Sequence, residues 1–345
     1  GYNNILRPTD SITRAEVVTI INNIFASYIY DSGTYTKDIA GSAIISTENV
    51  TIKNTTISDD LIITEGVNTG HIELDNVTVN GRLIIHGGGE NSVIIKGNSK
   101  IENVFVASQQ GIVNISVQDN AKVSKILVDD NSDTVKIDGS VDTISINSID
   151  TSVEVTGTVD TILVSETANS SKLNIAKTAT VENISIFAND IAVYVAGTAK
   201  NISVSGSNVS IHTTKGAKIE LVVTSGLNTS ISGDGTVKNV KSMEGSTGTK
   251  VETNNTNIEN NSSSDVTISD GSLIKPNENG NSSGSSNSGN SGGSSVGSGS
   301  SGGGDNGSGD GDDGSGDGDD GSDDGDDGSG DGDDGSDDGD DGSGD

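Results

Sequence analysis

Residues able to perform acid–base or charge-stabilising chemistry are scarce in the central part of this chain. Between residues 43 and 275 there is one arginine, Arg82, and there are three histidines, His71, His86 and His212. His86 precedes three glycines and Glu90, so a base, a cation and a carboxylate lie near each other in sequence. A catalytic site needs such groups to converge on a groove. We favour the alternative that this stretch is a solvated corner with a glycine turn.

A second concentration of reactive groups is the acidic C-terminal tail, residues 276–345. A seven-residue repeat of Gly, Ser and Asp begins at Gly307. A calcium loop of the EF-hand type fails there, because Gly314 stands where the third ligand is needed and no Glu follows. We expect diffuse, weak binding of calcium and other counterions, with no defined metal or cofactor site. The repeat has no apolar residue to bury, so the tail is predicted to be disordered.

One convincing helical stretch lies near the N-terminus. Thr13-Arg14-Ala15-Glu16 is the pattern of a capping box, in which Thr13 and Glu16 satisfy each other's backbone N–H groups. Apolar residues then recur with the spacing of one helix face, which predicts a helix over 13–28. A β-solenoid exposes strand edges at its ends, and we expect this helix to cover the first edge. The apolar positions are Val17, Ile20, Ile21, Ile24 and Tyr28.

The dominant pattern of the chain is a repeat of about twenty residues. In Val135–Val164 a phrase of strand, glycine corner and strand occurs twice, with apolar and polar residues alternating within each strand. Such a unit buries its apolar face only by stacking on a neighbouring unit. The first apolar residues after the corners are Ile57, Val79, Ile101, Val123, Val141, Val159, Val181, Ala199, Ile219 and Val237, in steps of 18, 20 or 22 residues.

These steps predict an all-β fold, a single-stranded parallel β-helix or solenoid of about ten coils with a period of 18–22. Steps that differ by even numbers keep the inward face inward. At one strand spacing per coil the series spans roughly 45–50 Å. The predicted organisation is a loop and helix over 1–29, a linker over 30–42, the solenoid over 43–275 and the tail. The chain begins with Gly1 and stops within a tail repeat, so we expect a fragment of a longer protein.

Composition limits the classes of partner. The net charge is −32, and 19 acidic residues with no basic ones lie in 301–345, so nucleic acid is an unsuitable partner. The chain contains no run of eighteen apolar residues, the length that would predict a membrane span. There is no cysteine, which excludes disulfides and thiol chemistry.

The first thirty residues resemble the second half of an S-layer homology (SLH) motif. The matching residues are Gly1-Tyr2, Arg7-Pro8 and Ile12–Glu16, followed by the apolar helix. The loop Asn3–Leu6 is one residue shorter than the usual form. The strings in 75–106 are similar to β-solenoid segments of surface proteins that carry SLH motifs.

The resemblance implies a role and a place. SLH modules come in threes, form a three-pronged spindle and bind pyruvylated secondary polysaccharides of the Gram-positive cell wall. The resemblance puts Arg14 in the binding groove, flanked by Thr13 and Glu16, where a guanidinium fork matches a carboxylate. It implies an extracellular location on the cell wall of a Gram-positive-type bacterium. Since the spindle is incomplete here, we do not expect the isolated chain to bind wall polymer.

Three functions are consistent with these patterns. The first, which we favour, is a non-enzymatic, SLH-anchored cell-surface protein with a solenoid stalk or display surface and an acidic spacer. The second is a secreted β-helix polysaccharide lyase or hydrolase, and the third is an adhesin that binds a partner through the solenoid side wall.

Overall fold

The computed structural model describes residues 11–68, 70–87, 93–108, 111–129 and 134–277. One helix, α1 (Arg14–Ile24), precedes twenty-six strands that form a single sheet. A short 3-10 turn, Glu65–Val67, follows the fifth strand. The strands are β1 (Phe25–Ile29), β2 (Gly33–Tyr35), β3 (Ser42–Ile45), β4 (Val50–Ile57), β5 (Leu61–Ile63), β6 (Ile72–Ile85), β7 (Val93–Lys96), β8 (Lys100–Val106), β9 (Val113–Val117), β10 (Lys122–Val128), β11 (Thr134–Asp138), β12 (Ser140–Ile146), β13 (Ser152–Val155), β14 (Thr158–Val164), β15 (Lys172–Ile175), β16 (Thr180–Ile186), β17 (Ala192–Val195), β18 (Thr198–Val204), β19 (Ser210–Thr213), β20 (Lys218–Thr224), β21 (Ser230–Gly233), β22 (Thr236–Ser242), β23 (Lys250–Val251), β24 (Asn257–Asn260), β25 (Val266–Ile268) and β26 (Leu273–Ile274).

The strands are arranged as two parallel stacks wound into one solenoid. The first stack runs from β1 through β3, β5, the second half of β6 and the even-numbered strands to β24. The second stack runs from β2 through β4, the first half of β6, β7 and the odd-numbered strands to β25. The predicted β-solenoid is confirmed, with about 12 turns where the sequence suggested about ten.

The predicted repeat register is confirmed along its whole length. Each residue of the series from Ile57 to Val237 is the direct parallel partner of the next. A bridge between Ile39 and Ile57 extends the series by one further coil. Residues that occupy one position in successive coils therefore form a column along the solenoid axis, and we use the word in that sense below.

The core is a set of inward columns of Val, Ile and Leu. In β12 the buried apolar residues are Val141, Ile144 and Ile146, with the exposed Asp142 and half-buried Thr143 between the first two. Strict alternation places every second residue inward, so the three-residue gap requires the strand to bend there. Each long strand thereby contributes to two walls of the solenoid, and both walls bury apolar side chains in the same interior.

Corners are occupied by residues that tolerate a left-handed backbone. Asn208 (φ 58°) and Asn228 (φ 55°) occupy equivalent corners of successive coils. Asparagine adopts this conformation more readily than other residues with a Cβ atom, since its short polar side chain bonds locally. Here the Asn228 Nδ2 donates to Asn208 Oδ1 at 2.9 Å, and the Asn208 Nδ2 donates to Asp190 Oδ1 at 2.9 Å. The corners are thus tied together by a side-chain ladder.

The N-terminal elements differ from the sequence expectation. The helix ends at Ile24 instead of 28, and Phe25–Ile29 continues as a strand paired with β3. Within the expected linker 30–42, Gly33–Tyr35 pairs with β4, so these residues belong to the first coil. The expected cap is also absent from the described residues, because the apolar residues of α1 remain exposed, Val18 by 55% and Ile24 by 59%. The chain passes from α1 into β1 without a turn that would fold the helix back over the edge.

The C-terminal end of the solenoid is closed by its own chain. β26 pairs antiparallel with β25, and the Asn277 N–H donates to the Asn260 carbonyl at 2.8 Å. The buried Asn260 side chain donates to the carbonyls of Ser264 and Ile274. In these last coils hydrogen-bonded polar side chains enter the interior beside buried residues such as Val240 and Val251, and Thr224 bonds Thr229 while Ser242 bonds Ser246. Most of the predicted tail, from 278 on, lies outside the described residues.

Glycine 139 shows how closely the coils stack, and it supports a matched test. Gly139 and Gly216 both have left-handed backbones, with φ of 96° and 95°. A Cβ on Gly139 would overlap the Val117 carbonyl oxygen of the preceding coil, whereas a Cβ on Gly216 meets open space. Gly216→Ala should cost about 1–2 kcal/mol from backbone strain alone. Gly139→Ala should cost at least ~1–3 kcal/mol more, because overpacking shifts a neighbouring strand. Denaturant unfolding of both variants measures the difference, and equal losses would contradict this stacking.

Candidate functional site

The capping box at the start of α1 forms as the sequence predicts. The Thr13 N–H donates to Glu16 Oε2 at 2.9 Å, and the Glu16 N–H donates to Thr13 Oγ1 at 3.2 Å. The backbone hydrogen bond from Thr13 lowers the pKa of Glu16, with a smaller contribution from the Thr13 hydroxyl. The box therefore fixes the first turn of the helix while Glu16 is ionised.

Arg14 lies where it is free to meet a ligand. It is the first residue of α1 and is exposed, and no ion pair joins it to another described residue. Gly1-Tyr2 and Arg7-Pro8, the other residues of the resemblance, lie outside the described part of the chain. The described half of the motif therefore presents Arg14 on a capped helix, and its role in a groove remains a prediction.

The cluster around Arg82 is not assembled into one site among the described residues. The Arg82 guanidinium donates from Nη2 to Asp60 Oδ2 at 2.6 Å and lies 5.7 Å from the Phe105 ring centroid. His86 Nδ1 lies 3.1 Å from the Ala107 carbonyl oxygen. Arg82 and His86 are four residue steps apart along an extended strand, which places their Cα atoms about 13 Å from each other. Each group thus has its own partner, which supports the interpretation as a solvated corner, and Glu90 lies outside the described residues.

The other two histidines lie apart from this corner. The His71 carbonyl accepts from the Asn49 N–H, as part of a corner between coils. His212 pairs across coils with Tyr194, with ring centroids 6.2 Å apart, and its Nδ1 is 3.3 Å from Ser232 Oγ. Tyr194 is 45% exposed, so this pair is a small aromatic patch on the second stack. The 18-residue step of the repeat places the two residues in one column, but the sequence analysis did not identify them as a pair.

Charged side chains on the walls form ion pairs between successive coils. Lys241 Nζ lies 2.9 Å from Glu259 Oε2, which is the next residue of its column. Lys96 pairs with Glu73 at 3.0 Å and Lys53 with Asp75 at 2.8 Å. Exposed pairs of this kind stabilise a fold only weakly. Their regular placement shows that opposite charges, like apolar side chains, are matched along the solenoid axis.

A feature of one wall was missed by sequence reasoning. The outward column of the first stack carries large apolar side chains through several coils of its N-terminal half. They are half-buried, because each is covered on two sides by its neighbours in the column. We call this column segment the outer stripe. Its half-buried members are Ile44, Ile62, Ile84, Phe105, Leu127 and, beyond Ser145, Leu163, and the exposed Tyr28 precedes Ile44 in the same column.

The signal for the outer stripe was present in the sequence. The strands that carry it read as unbroken apolar runs, such as Leu61–Ile63, Leu83–Ile85 and Val104–Val106. Parallel strands with this pattern are usually buried on both faces. The alternation of Val135–Val164 drew attention to the inward face instead.

Within the described residues, no group of three or more His, Asp or Glu side chains has the arrangement of a metal site. No described helix has the length and apolar character needed to cross a membrane. The predicted weak calcium binding falls on the tail, outside the described residues.

Removal of Arg82 should change the acid dependence of stability. The hydrogen bond from Arg82 is the largest cause of the lowered pKa of Asp60. A carboxyl whose pKa is lower in the folded chain contributes stability above its ordinary pKa, and the contribution is lost as pH falls through the folded value. Arg82→Gln should therefore be less stable than wild type at pH 7, and the difference should close below the ordinary pKa of 3.8.

Chemical denaturation at several pH values measures this difference. Lys215→Gln is the control, since Lys215 is exposed and makes no ion pair with a described residue. A difference for Arg82→Gln that persists unchanged at low pH would show that Asp60 is not its cause.

Three comparisons with known proteins were made. No family model, no curated protein and no solved structure matches this chain. The resemblance to an SLH motif thus rests on the residues of the first thirty positions alone.

Proposed function

We propose that this chain is a non-enzymatic bacterial cell-surface protein in which the β-solenoid is a rigid stalk or display surface. In this proposal the N-terminal SLH-like part attaches to cell-wall polysaccharide, and the acidic tail is a spacer. The observation that carries the stalk is the continuous parallel pairing of both strand stacks from β1 and β2 to β24 and β25. About 12 turns at a spacing of ~4.8 Å give a rod of about 58 Å.

Rigidity follows from how the coils are joined. Every coil is hydrogen-bonded to its neighbours through two strands, and its inward residues pack against the same column above and below. Bending the rod would open these hydrogen bonds on one wall and compress side chains on another. Protein interiors resist such compression, since they are packed as densely as organic crystals. The solenoid is therefore suited to hold its two ends at a fixed separation.

The two side chains considered for catalysis, Arg82 and His86, are consistent with a non-enzymatic protein. Arg82 is engaged by Asp60, and His86 lies at a backbone carbonyl. These contacts tie one coil to the next, which is a structural role. The capped helix with an exposed Arg14 supports the anchoring part of the proposal.

Distance measurements between spin labels test the stalk directly. Asn103 and Asn257 share one outward column, eight coils apart, and cysteines at these positions are the only thiols in the chain. A rigid rod predicts a narrow distance distribution near 38 Å, at ~4.8 Å per coil. The pair Thr161 and Asn257, five coils apart, should give a similarly narrow distribution near 24 Å at the same spacing. Broad distributions, or distances that do not scale with the number of coils, would refute a stalk.

Anchoring is tested with two and a half SLH motifs placed ahead of Gly1, because the resemblance covers only the second half of one motif and implies that three modules form the binding unit. Gram-positive cell walls with pyruvylated polymer should sediment this protein. Arg14→Ala should weaken binding about tenfold, the order expected for loss of one charge-assisted hydrogen-bonded pair. The binding of Arg14→Lys should be intermediate between wild type and Arg14→Ala, since lysine keeps the positive charge but lacks the planar guanidinium.

The control is Arg82→Ala, which removes an arginine from the solenoid wall. Equal binding by Arg14→Ala and wild type would contradict the role of Arg14. Equal binding to walls stripped of pyruvate would contradict the proposed polymer.

A further inference from the structure

The outer stripe is an apolar surface of the kind that commonly binds a partner. It spans coils from Ile44 to Leu163 on a wall of parallel strands, and its side chains lie directly above one another. Contiguous apolar surface on a protein wall commonly marks an interaction site. Farther along, the same column holds Ser185, Ser203, Val223, Lys241 and Glu259, of which only Val223 is apolar. Consecutive large apolar side chains in this column are therefore concentrated in its N-terminal half.

The column beside the outer stripe carries the charges that restrict what can cover it. This flanking column contains Asp60, Arg82, Asn103, Lys125 and Thr143 in successive coils. Lys125 is exposed, and no ion pair joins it to another described residue. A cation without a partner beside an apolar strip, in a chain of net charge −32, is suited to meet an acidic group from the covering surface.

We infer that the outer stripe is the interface of an antiparallel dimer of this chain. A two-fold axis along the strand direction, midway between the coils of Ile84 and Phe105, turns the stripe of one copy onto that of another. Ile84 then meets Phe105 of the second copy, and Ile62 meets its Leu127. In the flanking columns, Asp60 meets Lys125 of the second copy, and by symmetry this pair forms twice.

Charge selects this register over its neighbours. Moving the axis by half a coil onto Ile84 places Arg82 against Arg82 of the second copy. Moving it by half a coil onto Phe105 places Arg82 against Lys125. Like charges placed opposite each other at an interface disfavour it strongly.

The available area sets the expected strength. With the axis between Ile84 and Phe105, the eight coils from Tyr28 to Leu163 face one another. At ~4.8 Å per coil and a wall about 15 Å wide, they give roughly 580 Å² per copy, or about 1,150 Å² in total. This total lies at the lower limit for specific interfaces, so the dimer should be weak and reversible.

Cysteine cross-linking of the full chain tests the register, because the chain has no cysteine of its own. The double variant Ile62→Cys with Leu127→Cys should give a covalent dimer on oxidation. Within one chain these positions are three coils, or about 14 Å, apart, too far for a disulfide. Each single variant should form no covalent dimer, because the same position in the second copy lies three coils away across the axis. Self-cross-linking of Leu127→Cys alone would indicate a parallel pair and overturn the proposed arrangement.

Sedimentation analysis of Ile84→Glu tests the interface without cross-linking. This variant places two carboxylates at the centre of the dimer and should weaken association at least 100-fold. The matched control is Ile94→Glu, since Ile94 is also an outward, half-buried isoleucine but lies in the second stack. Ile94→Glu should dimerise like wild type. A wild-type chain that stays monomeric up to 1 mM, with no cross-link in the double variant, would refute the inference even if Ile84→Glu failed to fold.

Discussion

The structure depends on one constraint, the parallel hydrogen-bonded register that places equivalent residues of successive coils in columns. Each inward residue must pack against a similar residue one strand spacing away, both above and below. Branched side chains such as those of Val141 and Val159 meet this condition because they stack without changing rotamer. A change in one coil is therefore felt by two others, and Gly139, against the Val117 carbonyl, shows how little room the stacking leaves.

The same constraint organises the surface. Some columns place opposite charges side by side, as with Lys241 and Glu259 or Arg82 and Asp60, whereas the exposed Lys100 and Lys122 occupy one column as like charges. Asparagines bond along the corners, from Asn228 to Asn208. The surface is thus built from ladders, some charged, some polar and one apolar. This arrangement suits a protein that presents extended walls, and it explains why the potentially catalytic groups are held in contacts between coils.

The two ends of the solenoid obey the constraint differently. At the C-terminal end one interior column changes from Val204 to Thr224, Ser242 and Asn260, and β26 pairs with the last strand of the second stack. The polar side chains of this column are satisfied by hydrogen bonds within their own coils, such as Thr224 with Thr229 and Ser242 with Ser246. Among the described residues at the other end, β1 is paired on one side, by β3, and α1 keeps its apolar residues exposed.

Several features of this protein were determined by the sequence alone. The repeat fixed the solenoid and its register, since alternation and even steps between coils allow only one face to point inward. The capping box at Thr13 and Glu16 was equally readable, because it depends on residues three apart. The last coils were harder to recognise, because Ser242 and Asn260 interrupt the apolar pattern that marks a coil.

Only the tertiary structure decided how the ends and the walls are used. Phe25–Ile29 continues the helical spacing in sequence, yet it forms a strand because β3 offers a paired edge. The separation of Arg82 from His86, and the alignment of Ile84 with Phe105, follow from pairing between coils. Local pattern determines which side of a strand is apolar. The neighbour twenty residues away determines which outward side chains come to lie together.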